Sequence, residues 1–176
     1  EFRLAQERAE LVLKKDSRNV DAHILLANAN AALKNLPASL QEMQSAIEIA
    51  PDQPRSYINL AYLQVNAKDA AAAEASFKKA LELDPASVDA HLALGNFYQA
   101  SQRWQEAEQQ FRRAIELAPK NPVCRRALSL LYLALNKPGD AEQVLVQAKK
   151  DMADNSSAYR MLGDFYFNQG QLDKAA

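Results

Sequence analysis

The feature that most constrains this chain is that it repeats itself every 34 residues. Pro51, Pro85 and Pro119 each close a similar phrase: Ala46-Ile47-Glu48-Ile49-Ala50-Pro51, Ala80-Leu81-Glu82-Leu83-Asp84-Pro85 and Ala114-Ile115-Glu116-Leu117-Ala118-Pro119. Leucine returns in one register at Leu26, Leu60, Leu94, Leu128 and Leu162, followed each time by a small residue, Ala27, Ala61, Gly95, Ser129 and Gly163. Small columns also run through Ser39, Ala73, Ala107, Ala141 and Ala175 and through Ala46, Ala80, Ala114 and Ala148, and a bulky column through Met43, Phe77, Phe111 and Leu145. Such a chain is a string of like units, none of which can bury its apolar face alone.

Within a unit the apolar and small positions fall three, four and seven residues apart, as from Leu94 and Gly95 to Tyr98, which is helical spacing. A second helix is predicted from about Gln105 to Leu117, after a polar link such as Ser101-Gln102-Arg103, and the proline phrase stops it. Only 4 Gly are present, few for a chain of β-hairpins, and alanine is abundant, so the fold class is all-α. Helices of roughly 14 residues are about 21 Å long and marginal in isolation, so their stability must come from stacking. Packed helix axes lie about 8 to 10 Å apart, and small residues at the contact permit the near end of that range.

The order of a Leu-small pair, a tyrosine three residues after the small one (Tyr98, Tyr132, Tyr166), then small, bulky, small and proline resembles the tetratricopeptide repeat. The resemblance covers nearly the whole chain as a single array 1–176: full units at 20–53, 54–87, 88–121 and 122–155, a second-helix remnant at 1–19 and a truncated unit at 156–176. It implies a right-handed α-solenoid of stacked antiparallel helix-turn-helix repeats. Some positions depart from the pattern: Asn30 and Gln64 replace the tyrosine, Ala153 replaces the closing proline, and Ala9 and Val12 stand at the bulky and small positions of the first segment. A chain that begins and ends inside a unit is expected to leave Leu162, Phe165 and Tyr166 short of cover and to self-associate through uncapped ends.

Charge and chemistry narrow the function. Lys+Arg 21 against Asp+Glu 22 gives a net charge of -1, which provides no field for nucleic acid, and no stretch is long enough to insert in a membrane. His23 and His91 share a register with Tyr57, Arg125 and Tyr159, two units apart and so roughly 20 Å or more from one another, too far to share a metal. They read as packing residues. Cys124, the single cysteine, lies near a helix start, where a lowered thiol pKa and a bland half-buried thiol are the alternatives, and the bland one fits the lack of a nearby histidine. Glu106, Glu108 and Glu116 are expected on solvent faces beside Arg112, Arg113 and Lys120, and Trp104 is expected to pack. With no phosphate loop, nucleophile elbow or metal motif, no catalytic, cofactor-binding or metal residue is assigned.

The family resemblance implies a concave surface lined by one stripe of first-helix residues. One column is Ile24, Ile58, Leu92, Arg126 and Arg160; four residues on are Asn28, Tyr62, Asn96, Leu130 and Asp164; three residues before are Asp21, Arg55, Asp89, Val123 and Ser157. These columns suggest one groove, apolar in its N-terminal half and cationic in its C-terminal half, unless Arg126 and Arg160 are merely solvated charges. A family subtype that grips the C-terminal carboxylate of chaperone peptides places basic residues where this chain has Ile24, Asp89 and Ala93, although Asn28 and Asn59 match two of its asparagines. The leading expectation is therefore a non-catalytic protein-interaction scaffold without cofactor, binding a peptide or protein segment in the groove. The alternatives are a partner- or substrate-recruiting arm of a larger enzyme such as a glycosyltransferase, whose asparagine ladder is represented clearly only by Asn59, and a homo-oligomerising structural module.

Overall fold

The computed structural model describes residues 1–175; position 176, the last of the segment 156–176, lies outside them. The described residues are helical hairpins that fall into two compact units, Glu1–Ala86 and Ser87–Ala176. The first unit holds α1 (Phe2–Lys15), α2 (Val20–Ala32), α3 (Leu36–Ile49), α4 (Pro54–Asn66) and α5 (Ala70–Leu83). The second holds α6 (Val88–Ala100), α7 (Trp104–Leu117), α8 (Pro122–Ala134), α9 (Pro138–Asp151), α10 (Ser156–Asn168) and the short α11 (Leu172–Ala175). Helices that open a repeat have 13 residues; those that close one, α3, α5, α7 and α9, have 14.

Each first helix ends in the same device. Lys34, Lys68, Gln102, Asn136 and Gly170, spaced by 34, all adopt positive φ between 55° and 71°. The next residue's N–H then reaches back to the carbonyl five residues earlier: Asn35 to Asn30, Asp69 to Gln64, Arg103 to Tyr98, Lys137 to Tyr132 and Gln171 to Tyr166, at 2.8 to 2.9 Å. This left-handed helix stop satisfies carbonyls that the helix leaves open, and it turns the chain into the second helix. Three of the five positions carry Lys or Gln, residues that pay for this conformation sterically where glycine would not.

The second helices stop at non-helical cap residues Asp16, Ala50, Asp84, Ala118 and Met152, again 34 apart. Proline follows in only three of these five places: Ser17 and Ala153 stand in the others, and the helices end in the same register. Proline therefore reinforces the stop without being required for it. Side chains cap the starts, with the oxygens of Asn19, Asn35, Asp69, Ser87, Asn121 and Asn155 accepting from the next helix's first-turn amides.

The repeat columns are the cores. Ala9, Ala27, Ser39, Ala46, Ala61, Ala73 and Ala80 in the first unit and Ala107, Ala114, Ala141 and Ala148 in the second are fully buried. Met43, Phe77 and Phe111 fill the space between them. In the first unit Ala27, Met43, Ile47 and Leu63 form one cluster with Ile24, Leu36, Tyr57 and Leu60 packed against it. Gly95 touches the second unit's Phe111 so closely that a Cβ built on it would sit 2.5 Å from ring atom Cε1. The cover expected to be missing from Leu162, Phe165 and Tyr166 is present: all three are buried, and the Lys174 ammonium of α11 lies 5.2 Å from the Tyr166 ring centre.

Candidate functional site

The side chains that first looked capable of chemistry are joints between helices. His23 hydrogen-bonds through Nδ1 to Glu42 at 2.7 Å and donates from Nε2 to the Ser17 carbonyl at 3.1 Å. Tyr57 donates to Pro51 O and Arg125 to Pro119 O, so this column repeatedly ties a first helix to the carbonyl six residues back. Arg125 is buried and ion-paired with Asp151 of α9. His91 hydrogen-bonds to Gln110 at 2.7 Å. Among the described residues no group of three or more His, Cys, Asp or Glu could hold a metal ion.

Cys124 is fully buried, more so than the half-buried thiol expected, and burial pushes its thiol up rather than down. A thiol so placed is a poor nucleophile.

Glu108 corrects a second expectation. It does not face solvent alone: the Tyr132 hydroxyl of α8 donates to its Oε1 at 2.7 Å, Arg112 Nε donates to the same oxygen at 2.8 Å, and Arg112 Nη2 donates to the Tyr132 hydroxyl at 2.7 Å. Burial alone would raise the Glu108 carboxyl, but these hydrogen bonds, with the charges of Arg112 and Lys137, hold it below its ordinary value. Burial and the Glu108 carboxylate push the Tyr132 phenol up to about 12. Tyr166 makes the same bond to Glu142, again 24 residues back, and Asn30 accepts from Gln6 across the same interval at 3.4 Å. Gln64 turns instead to Ser76 of its own repeat, 2.7 Å away. At Tyr132, Tyr166 and Asn30 the column is thus a repeat-to-repeat latch, which explains why a polar Asn can stand in it, while Gln64 is satisfied inside its own repeat.

Most of the first-helix stripe is open to solvent. In the first unit Asn28, Arg55 and Tyr62 are exposed, Ile58 is half-buried, and Ile24 is half-buried against the core cluster. Tyr62 lies edge-on to Phe77, with ring centres 5.4 Å apart. In the second unit Asp89, Asn96, Arg126, Leu130, Arg160 and Asp164 are exposed and Leu92 is half-buried. The structure gathers four of these around one cavity of about 700 Å³ between α8 and α10, where Arg126, Leu130, Arg160 and Asp164 surround a floor of Leu145, Met161 and Phe165. Asn96 and Leu130 also line a second cavity of about 360 Å³ with Gln99, Ala127 and Trp104. Trp104 was expected only to pack; at the first position of α7 its half-buried ring also walls this cavity. Phe165 and Met161 were missed as well, because their apolar character is what helix packing demands and carries no separate signal.

Paired helices repeated in register, with their polar groups consumed by interhelical joints and an open face left on the first helices, define a helical-repeat scaffold. Family models described as "Tetratricopeptide repeat" match residues 65–131 and 100–162, and another of the same description matches residues 1–54. The chain belongs to the tetratricopeptide repeat family, whose fold is an all-α solenoid typical of protein–protein interaction. No curated protein matches it. Among solved structures it is similar to PilW, a type IV pilus biogenesis factor, at 22% identity and TM-score 0.75, covering 99% of this chain and 81% of that one. It is also similar to pilF of Pseudomonas aeruginosa, at 21% identity and TM-score 0.70 over 92% and 73% of the two chains. A third is YrrB, described as a TPR protein with an unusual peptide-binding site, at 18% identity and TM-score 0.63 over 97% and 88%. At such identities the likeness is one of fold.

Proposed function

We propose that this chain is a non-catalytic scaffold that binds a segment of another protein on the exposed faces of its first helices. The observation that carries the reading is the contrast between the two kinds of polar group. Those of the latch and joint columns are engaged within the fold, whereas the first-helix face of α8 and α10 exposes Leu130 and Val123 beside two arginines around a cavity. Leu130 and Val123 are 48% and 57% exposed, which leaves apolar surface whose burial by a partner is favourable. Tyr62 and Val65 offer similar surface on α4 of the first unit. An extended or helical segment suits such a face, since either can present side chains at a regular spacing. Fold neighbours of this kind are generally non-catalytic, which supports the same reading.

The test is selection from a displayed library of capped twelve-residue peptides against the whole chain, followed by titration of the recovered peptides. Leu130→Asp, at an exposed position, should weaken peptides selected on the parent by about tenfold or more, the cost of desolvating a carboxylate where apolar surface was buried. If recovered peptides bind Leu130→Asp and Tyr62→Asp as tightly as the parent, the binding surface lies elsewhere.

A further inference from the structure

The cavity between α8 and α10 has a chemical character of its own. Arg126 and Arg160, 34 residues apart and so at the same register of two stacked helices, both line it and both are exposed. Neither guanidinium engages another described residue. This sets them apart from Arg103, Arg112, Arg113 and Arg125, each ion-paired to a carboxylate. The third charged residue of the cavity, Asp164, lies one turn beyond Arg160 on α10, so the wall presents two cations and one anion. Beneath the charges the floor is apolar, with Leu145 and Phe165 almost wholly buried. Leu130 stands on the divide between this cavity and the one walled by Trp104, so an occupant of the first can continue past α8 into the second.

From this we infer that the α8–α10 cavity recognises an internal acidic side chain, Asp or Glu, of a partner segment that also places an apolar side chain on the floor between the two helices. The inference rests on the scaffold reading above and gives its ligand a chemistry. Two unpartnered arginines at one register are suited to a carboxylate, which can accept from both, and the low polarity of the floor strengthens such charge-assisted bonds. A segment passing through is favoured over a chain terminus because the surface continues on both sides of Leu130. Asp164 then faces a backbone amide or a basic residue of the same segment and opposes a run of several acids, so one carboxylate beside an apolar anchor fits better than a polyacidic tail.

The experiment uses two libraries of twelve-residue peptides on the whole chain, one capped at both ends and one with a free C-terminal carboxylate. Capped peptides recovered on the parent should be enriched in a single Asp or Glu beside Leu, Met or Phe. Their affinity should fall about tenfold or more for Arg126→Glu/Arg160→Glu, and reselection on that variant should favour Lys or Arg at the same position. Arg126→Gln/Arg160→Gln, which removes charge without reversing it, should give an intermediate loss, and circular dichroism identical to the parent's verifies that these exposed positions leave the fold intact. Enrichment of uncharged peptides, an acidic preference that survives charge reversal, or binding confined to the free-carboxylate library each overturns the inference while leaving the scaffold reading standing. Failure of both libraries to yield any binder overturns both.

Discussion

The Phe111 ring of α7 lies against the backbone of Gly95 in α6, so that a Cβ at position 95 would meet Cε1 at 2.5 Å and Cδ1 at 2.7 Å. Phe111 is fully buried, so its ring cannot swing out into solvent without losing that burial. Glycine in a helix interior ordinarily costs about 1 kcal/mol relative to alanine, so Gly→Ala should stabilise wherever there is room. At Gly95 the clash reverses the sign: Gly95→Ala is expected to destabilise by about 1 to 3 kcal/mol, and Gly95→Leu by more. Gly139→Ala, in α9 with nothing within 4 Å of its added Cβ, is the internal control and should be neutral or stabilising by up to about 1 kcal/mol. Urea denaturation of the two variants checks the contrast.

The latch between α7 and α8 predicts a pH dependence. The Tyr132 phenol titrates at about 12 in the fold, against about 10 in an unfolded chain, because burial and the Glu108 carboxylate both favour its neutral form. A raised value in the folded state means that the stabilisation is complete below about pH 10 and is lost as pH climbs from about 10 to about 12. Two units correspond to at most roughly 3 kcal/mol. Tyr132→Phe should cost about 1 to 2 kcal/mol at neutral pH through the lost hydrogen bonds. Its stability should then fall less than the parent's between pH 9.5 and 11.5, as read from urea midpoints. Tyr166, raised by its bond to Glu142, is present in both chains and cancels in the comparison.

The helix stops offer a gain in stability. Lys34 and Lys68 at φ 62° and Gln102 at φ 58° occupy a conformation that favours glycine. Lys68→Gly and Gln102→Gly should each raise stability by up to about 1 kcal/mol, relief of the side chain's steric cost outweighing glycine's greater unfolded-state freedom. Asn136→Gly should gain less, because asparagine already tolerates this region. Thermal melts of the three variants provide the ranking, and a uniform loss would show that the exposed side chains contribute more than their strain.

These features also mark what could be read from the sequence. The 34-residue period located the helices because apolar and small residues must recur wherever helices pack, and packing repeats with the fold. The left-handed stops could not be read in that way: they are held by backbone bonds such as Asp69 N–H to Gln64 O, and where the expected glycine is replaced by Lys or Gln at a modest steric cost the residue type gave no signal. Glu108 looked like a solvent-facing acid because Glu is common on exposed helix faces, and its partner Tyr132 lies 24 residues away on another helix. The proline phrase was legible but overvalued, as Ala153 shows by following a helix that ends in register. The stripe columns picked out six residues of the α8–α10 cavity, Val123, Arg126, Leu130, Ser157, Arg160 and Asp164, because they differ in kind from the core columns, but its floor was hidden among residues that pack in any repeat.

Whether partners bind the first-helix faces can be seen residue by residue in amide chemical-shift mapping of the isotopically labelled chain titrated with a library-selected capped peptide. The largest shifts are expected on first helices, led by α8 and α10 at Arg126, Leu130, Arg160 and Asp164, with α7 affected only near Trp104. Shifts concentrated instead on the outer residues of the second helices, such as Lys79 of α5 or Gln147 of α9, would contradict binding at the first-helix faces.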